Sequence, residues 1–208
     1  MNRSLNEIEA TAKRATRGAG YSWGLAEEAS KATRWLSRQG QDGVAALAAL
    51  LDKGLAQPAD HRPCAADEVW RNDGDLCPLA TGAFLSDCAQ GLRSGPVTMQ
   101  RVAVPLFILP FAANAASELR CCVRVEMDGQ VAMTDGGNLQ CPDVLPELAE
   151  RITVQTSETA PPWRPRGAQM CPDPDSWDRL AVLAHRTYAP ATEESRLRGA
   201  GAGLSDND

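Results

Sequence analysis

The C-terminal stretch RLRGAGAGLSDND, residues 196–208, places two arginines, three alternating glycines and two aspartates within thirteen positions. Each guanidinium of Arg196 and Arg198 is a planar fork that matches a carboxylate or phosphate. Gly199, Gly201 and Gly203 carry no Cβ, so the backbone there can approach a ligand closely or take positive φ. Successive amides in such a run can cradle an anion. Asp206, Asp208 and a terminal carboxylate are hard oxygen donors of the kind magnesium takes. Arg196, Arg198, Gly199, Gly201 and Asp206 are therefore candidate ligand-binding residues. The competing reading is a frayed terminus, the common fate of glycine-rich ends.

A second candidate segment runs from Arg17 to Glu28, RGAGYSWGLAEE. Trp23 could serve as a stacking platform and Glu27 as the carboxylate beside it. The structural reading of the same residues is a hydrophobic staple by Tyr21 and acids near a helix N-terminus. His185, with Arg186 and Tyr188, could act as a base only if the fold brought it a partner. His61, Cys64 and Asp67 cluster in sequence, but no known nucleophile signature surrounds them. No catalytic residue and no cofactor are assigned. Two histidines rule out a histidine-rich metal centre, and no metal-ligand set is assigned. Only Lys13, Lys31 and Lys53 could form a Schiff base. Asp135-Gly136-Gly137-Asn138 reads as a turn.

These residues sit in a chain of 208, long enough for one large domain with a core of its own. Hydrophobic residues make up 43% and charged residues 23%, the ordinary balance of a globular protein. Aromatics are only 5%, so the core leans on Ala, Leu and Val. A net charge of -6 argues against a nucleic-acid partner. The apolar run Val102–Ala116 is broken by Pro105 and Pro110 and is too short to span a membrane. No signal-peptide pattern precedes the first helix, so a soluble cytoplasmic protein is expected. Seven cysteines, with no Cys-x-x-Cys, are expected to be reduced thiols.

The elements that must position the candidates follow from periodicity and punctuation. Ser4-Leu5-Asn6-Glu7 is a capping box opening a helix that ends at Gly18–Gly20. Ser22 caps a second helix to about Arg38, with Leu25, Ala29, Ala32 and Leu36 on one stripe and Trp35 beside it. Asp42 caps a third, Val44 to about Lys53. Residues 56–78 read as an irregular linker, with a strand or helical turn at Asp67–Trp70. Thr81–Leu92 reads as a helix. Val97–Leu109, Leu119–Met127, Val131–Met133 and Arg151–Thr156 read as strands, with Asp128-Gly129 as a hairpin turn. Residues 160–170 form a proline-rich loop. Pro174 opens a helix with Trp177, Leu180, Ala181, Leu183 and Ala184 on its apolar side, and Thr192 caps a last turn. The fold class is α+β: an N-terminal bundle of about three helices, a small antiparallel or mixed central sheet, a C-terminal helix and a glycine-rich tail. The expected division is 1–55 for the bundle and 56–208 for the body, packed as one unit.

The opening SLNEIEATAKRATRGAGYSWGLAEEASKATRWL and the ending HRTYAPATEESRLRGAGAGLSDND resemble an uncharacterised bacterial family, domain of unknown function 3726. SWGLAEEA and GAGAGLSDND carry the likeness. Because it reaches both ends, the chain is expected to be full length and its tail to be ordered, packed near Tyr21-Ser22-Trp23. The family implies no activity and no catalytic residue. The N-terminal helices also faintly resemble the opening of the malate/lactate dehydrogenases that lack a Rossmann fold. The histidine motif that should follow Gly40 is absent, since the chain reads Gln41-Asp42-Gly43-Val44, and a nicotinamide role is not carried over. The expected function is binding of a small anionic molecule, or an accessory role in metabolism, with room for a homo-oligomer. The alternative is a hydrolase or lyase using carboxylates or a divalent metal.

Overall fold

A computed structural model of the chain describes residues 1–56, 61–64, 69–163 and 169–188. The three capped helices form where the short-range signals put them. α1 spans Leu5–Gly18, and the Ser4 hydroxyl accepts from the Glu7 amide at 3.2 Å. α2 spans Trp23–Arg38, with Ser22 Oγ accepting from the Leu25 amide at 3.3 Å. α3 spans Gly43–Asp52, capped by the Asp42 carboxylate on the Ala45 amide at 2.9 Å. Tyr21, just before the Ser22 cap, is buried among the helices as the staple geometry requires.

β2, Val69–Trp70, leads to α4, Pro78–Asp87, whose proline occupies the first turn, where its missing N–H costs nothing. A 3-10 turn, Ala89–Arg93, and β3, Val97–Ala103, follow. The alternation from Val97 to Leu109 predicts one long strand, and here the structure differs. β3 stops at Ala103 because Val104 turns left-handed, φ 41° and ψ 63°; its amide makes one last bond across the ladder, to the Glu147 carbonyl opposite it at 2.8 Å, before the chain bends away. Pro105–Phe107 then makes a 3-10 turn into α5, Ile108–Leu119. Leu119 is thus helical, and the next strand, β4, begins at Cys122 and runs to Met127. β5 spans Gln130–Thr134, after an Asp128-Gly129 turn with φ values of 47° and 87°. Two positive φ angles at the centre are the signature of a type I′ hairpin. β6, Leu139–Gln140, β7, Leu148–Ser157, β8, Gln169–Met170, and α6, Pro174–His185, complete the order.

Six strands form a mixed sheet in the order β2-β3-β7-β4-β5-β6, parallel only at β2–β3. β1, Arg3–Ser4, pairs antiparallel with β8. One face of the sheet, with Met99, Val123, Val125, Ile152 and Val154, is buried against α5. Phe107 and Phe111 belong to the helical core built from α1, α2, α3 and α6, while Ile108, Leu109 and Ala112 belong to the sheet core. α5 is therefore the element shared by both cores. Gly82 of α4 lets the Phe111 ring in: a Cβ there would fall 2.0 Å from its Cδ2. Among the described residues, no helix is long and apolar enough to cross a membrane.

Candidate functional site

The turn between α1 and α2 is held from both sides. Arg17 donates to the Tyr21 carbonyl at 2.8 Å, and its guanidinium carbon lies 5.3 Å from the centre of the Trp23 ring. Trp23 is 59% exposed, so the ring is half covered by that cation and half open to solvent. Four residues on, Glu27 pairs with Lys13 and approaches Lys31 at 3.9 Å. The hydrogen bond from Lys13 holds the Glu27 carboxyl below its usual range. Lys13 and Arg17 are one turn apart on α1, and Glu27 and Trp23 are one turn apart on α2. The two pairs face each other, so Trp23 and Glu27 come together as an interhelical seam. Beneath it, the Tyr21 hydroxyl lies 3.6 Å from Cys77 Sγ, and burial pushes both groups above their ordinary pKa.

On the other side of Ser22 lies a cleft of about 300 Å³ between the start of α2, α4 and the segment at Arg62-Pro63. Leu25, Ala80 and Phe84 supply its apolar wall, and Phe84 is braced by Trp70 at 4.6 Å between ring centres. Arg62 and Asp87 are exposed at its edge, and neither forms an ion pair among the described residues. The Arg62 segment is anchored by its neighbours: the His61 ring donates to the Asp75 carbonyl at 2.8 Å, and the Cys77 amide donates to the His61 carbonyl at 2.9 Å. Small clefts with an apolar wall and a few polar groups are the usual form of ligand sites. A guanidinium beside the positive end of a 16-residue helix favours an anion there. A larger cavity, about 410 Å³, opens between α3 and residues 142–147, and its polar residues are mostly acidic.

Arg196, Arg198, Gly199, Gly201 and Asp206 lie outside the described residues, as do their expected packing near Tyr21-Ser22-Trp23, the Thr192 cap and Asp67. His185 meets the edge of Tyr188 at 5.4 Å between rings, and Arg14 donates to the Tyr188 hydroxyl at 2.6 Å, so this trio is a surface contact between α6 and α1. None of the seven cysteines forms a disulfide. Among the described residues, no three His, Cys, Asp or Glu side chains converge as a metal site would need. Asp135-Gly136-Gly137-Asn138 is more than a turn. Its Gly136 and Gly137 carbonyls accept from Trp35 Nε1 at 3.2 Å and Gln39 Nε2 at 2.8 Å, which locks the end of β5 to α2. Sequence reasoning missed Arg62, Phe84 and Asp87. The one signal was an arginine beside Pro63 in the linker, and nothing local shows that this linker folds over α4.

Residues 3–83 match the family described as Protein of unknown function (DUF3726), so over that stretch the chain is similar to a family whose activity is undefined. The match takes in SWGLAEEA and ends before the C-terminal segment. No curated protein matches the chain.

Proposed function

We propose that this is a cytoplasmic bacterial protein that binds a small anionic molecule and acts as an accessory component of metabolism. The binding site is the cleft bounded by Ser22, Leu25, Arg62 and Phe84. The supporting observation is the Arg62 guanidinium: in a chain of net charge -6, it stands without an ion pair among the described residues, at an apolar-walled cleft beside the α2 N-terminus. An incoming carboxylate or phosphate meets a charged donor that gives up no ion pair with a described residue, and its carbon skeleton covers Leu25 and Phe84. Trp23, one residue beyond Ser22, adds an exposed aromatic surface. The second reading, a hydrolase or lyase, draws on Asp87, a carboxylate on the same cleft without an ion pair among the described residues.

A thermal-shift panel of mono- and dicarboxylates, amino acids and phosphate esters, followed by calorimetric titration of the hits, tests both readings. The expected result is saturable binding of one anion class that weakens about tenfold in Arg62→Gln, the scale of one charge-assisted hydrogen bond. Lack of binding, or equal affinity in Arg62→Gln, overturns the anion site. Turnover of the bound compound, lost in Asp87→Asn, would favour the enzyme.

A further inference from the structure

The larger cavity carries charge of the opposite sense. α3 forms one side through Ala46 and Ala49, and the connection from β6 to β7, residues 142–147, forms the other. Val104 and Leu106 line it between them. Val104 is the unusual residue. A β-branched side chain at φ 41° is a genuine backbone outlier that the surrounding structure must hold in place. Two hydrogen bonds hold it: its amide donates to the Glu147 carbonyl at 2.8 Å, and its carbonyl accepts from the Phe107 amide at 3.1 Å. The same strained residue thus fixes the cavity wall and ties the 142–147 connection to it. Pro142 and Pro146 stiffen that connection further.

Acids outnumber bases around the opening. Asp52 is held by Arg179 at 2.6 Å, and Lys53 lies next to it. Asp143 and Glu147, both exposed on the opposite side, form no ion pair among the described residues. Two carboxylates four residues apart at a cavity with an apolar wall, with Lys53 the one base in its lining against three acids, complement a positive group joined to a hydrocarbon body. We infer that this cavity binds a small organic cation, a primary amine on an apolar chain, with its ammonium at Asp143 and Glu147 and its carbon chain against Val104, Leu106 and Leu145. An ammonium has three donors to share between the two carboxylates. The inference is independent of the anion cleft, which lies on α2 and α4.

Hexylammonium and hexanoate, matched in length and opposite in charge, test it by amide and methyl NMR on the full chain. Hexylammonium is expected to shift the signals of Ala46, Val104 and Leu145 saturably, and to bind about tenfold more tightly than hexanoate, the scale of a charge-assisted contact. The doubly substituted Asp143→Asn, Glu147→Gln chain is expected to lose that preference while keeping the Val104–Glu147 backbone bond. Equal response to both compounds, no response at these residues, or a preference that survives the double substitution overturns the proposal.

Discussion

Asp135 shows how one carboxylate can organise a joint. Its Oδ1 accepts from the Gly137 and Asn138 amides at 2.8 and 2.6 Å, and its Oδ2 from the Asn138 side chain at 2.7 Å. Partial burial pushes its pKa up, but these hydrogen bonds outweigh it and leave the group below the usual aspartate value. A folded pKa lower than the unfolded one means stability that is fully present above the unfolded value, near 4, and is lost as pH falls through the folded value. Asp135→Ala is therefore expected to cost about 1–3 kcal/mol at neutral pH. In urea titrations at stepped pH, its deficit against the parent chain should hold down to about pH 5 and narrow below pH 4. A deficit that persists unchanged at pH 3 would show that the ionised carboxylate is not its source. The sequence marks these residues as a turn because Asp and Gly act locally. Their bonds to Trp35 and Gln39 span about a hundred positions and leave no local trace. The caps at Ser4, Ser22 and Asp42 are legible for the converse reason: donor and acceptor are three residues apart.

At the scale of elements, close approach decides what can pack. A Cβ on Gly18 would lie 1.9 Å from the Leu183 carbonyl oxygen of α6, and backbone cannot move aside as a side-chain tip can. Gly18→Ala is expected to force α1 and α6 apart at a cost of about 1–3 kcal/mol, lowering the melting temperature by roughly 2–4 °C for each kcal/mol. Gly24→Ala, at a position with nothing within 4 Å, is the control and should melt no lower than the parent chain. Equal melting of Gly18→Ala would mean that the two helices do not depend on this contact. α5 is the element that the sequence hides. Nine of its twelve residues are buried, and its exposed polar residues, Asn114, Ser117 and Glu118, come only in its second half, so its opening turns carry no polar stripe to reveal a helical period. Pro110 reads as a breaker, yet it sits in the first turn, where a helix needs no donor from it. Val102, Val104, Leu106 and Ile108 keep a strand-like alternation across a segment that is partly turn and partly helix. The α+β class is legible despite this, because the bundle and the hairpin each carry their own short-range signals.

At the scale of the whole molecule, the candidate cleft was legible only at its Ser22 edge, which the helix cap marks in sequence; Arg62 and Phe84 reach Ser22 through tertiary packing alone. The same long-range closure joins the first and last described helices. Leu180, Leu183 and Ala184 of α6 complete a core begun by Leu5, Ile8 and Ala12 of α1. That helical core meets the sheet core through α5, whose Phe111 lies in one and whose neighbour Ala112 lies in the other. Damage to one core should therefore be felt in both. Leu183→Ala, at a side chain only 2% exposed, removes buried methyls and is expected to cost about 2–5 kcal/mol. The informative readout is whether two probes move together. Far-UV circular dichroism reports the helices, and the signal of Trp70, isolated by replacing the other tryptophans with phenylalanine, reports the sheet core. If both cores form one cooperative unit, Leu183→Ala shifts the two urea midpoints by the same amount. A displaced helix transition with an unmoved Trp70 transition would mean that α5 links two cores that fold independently.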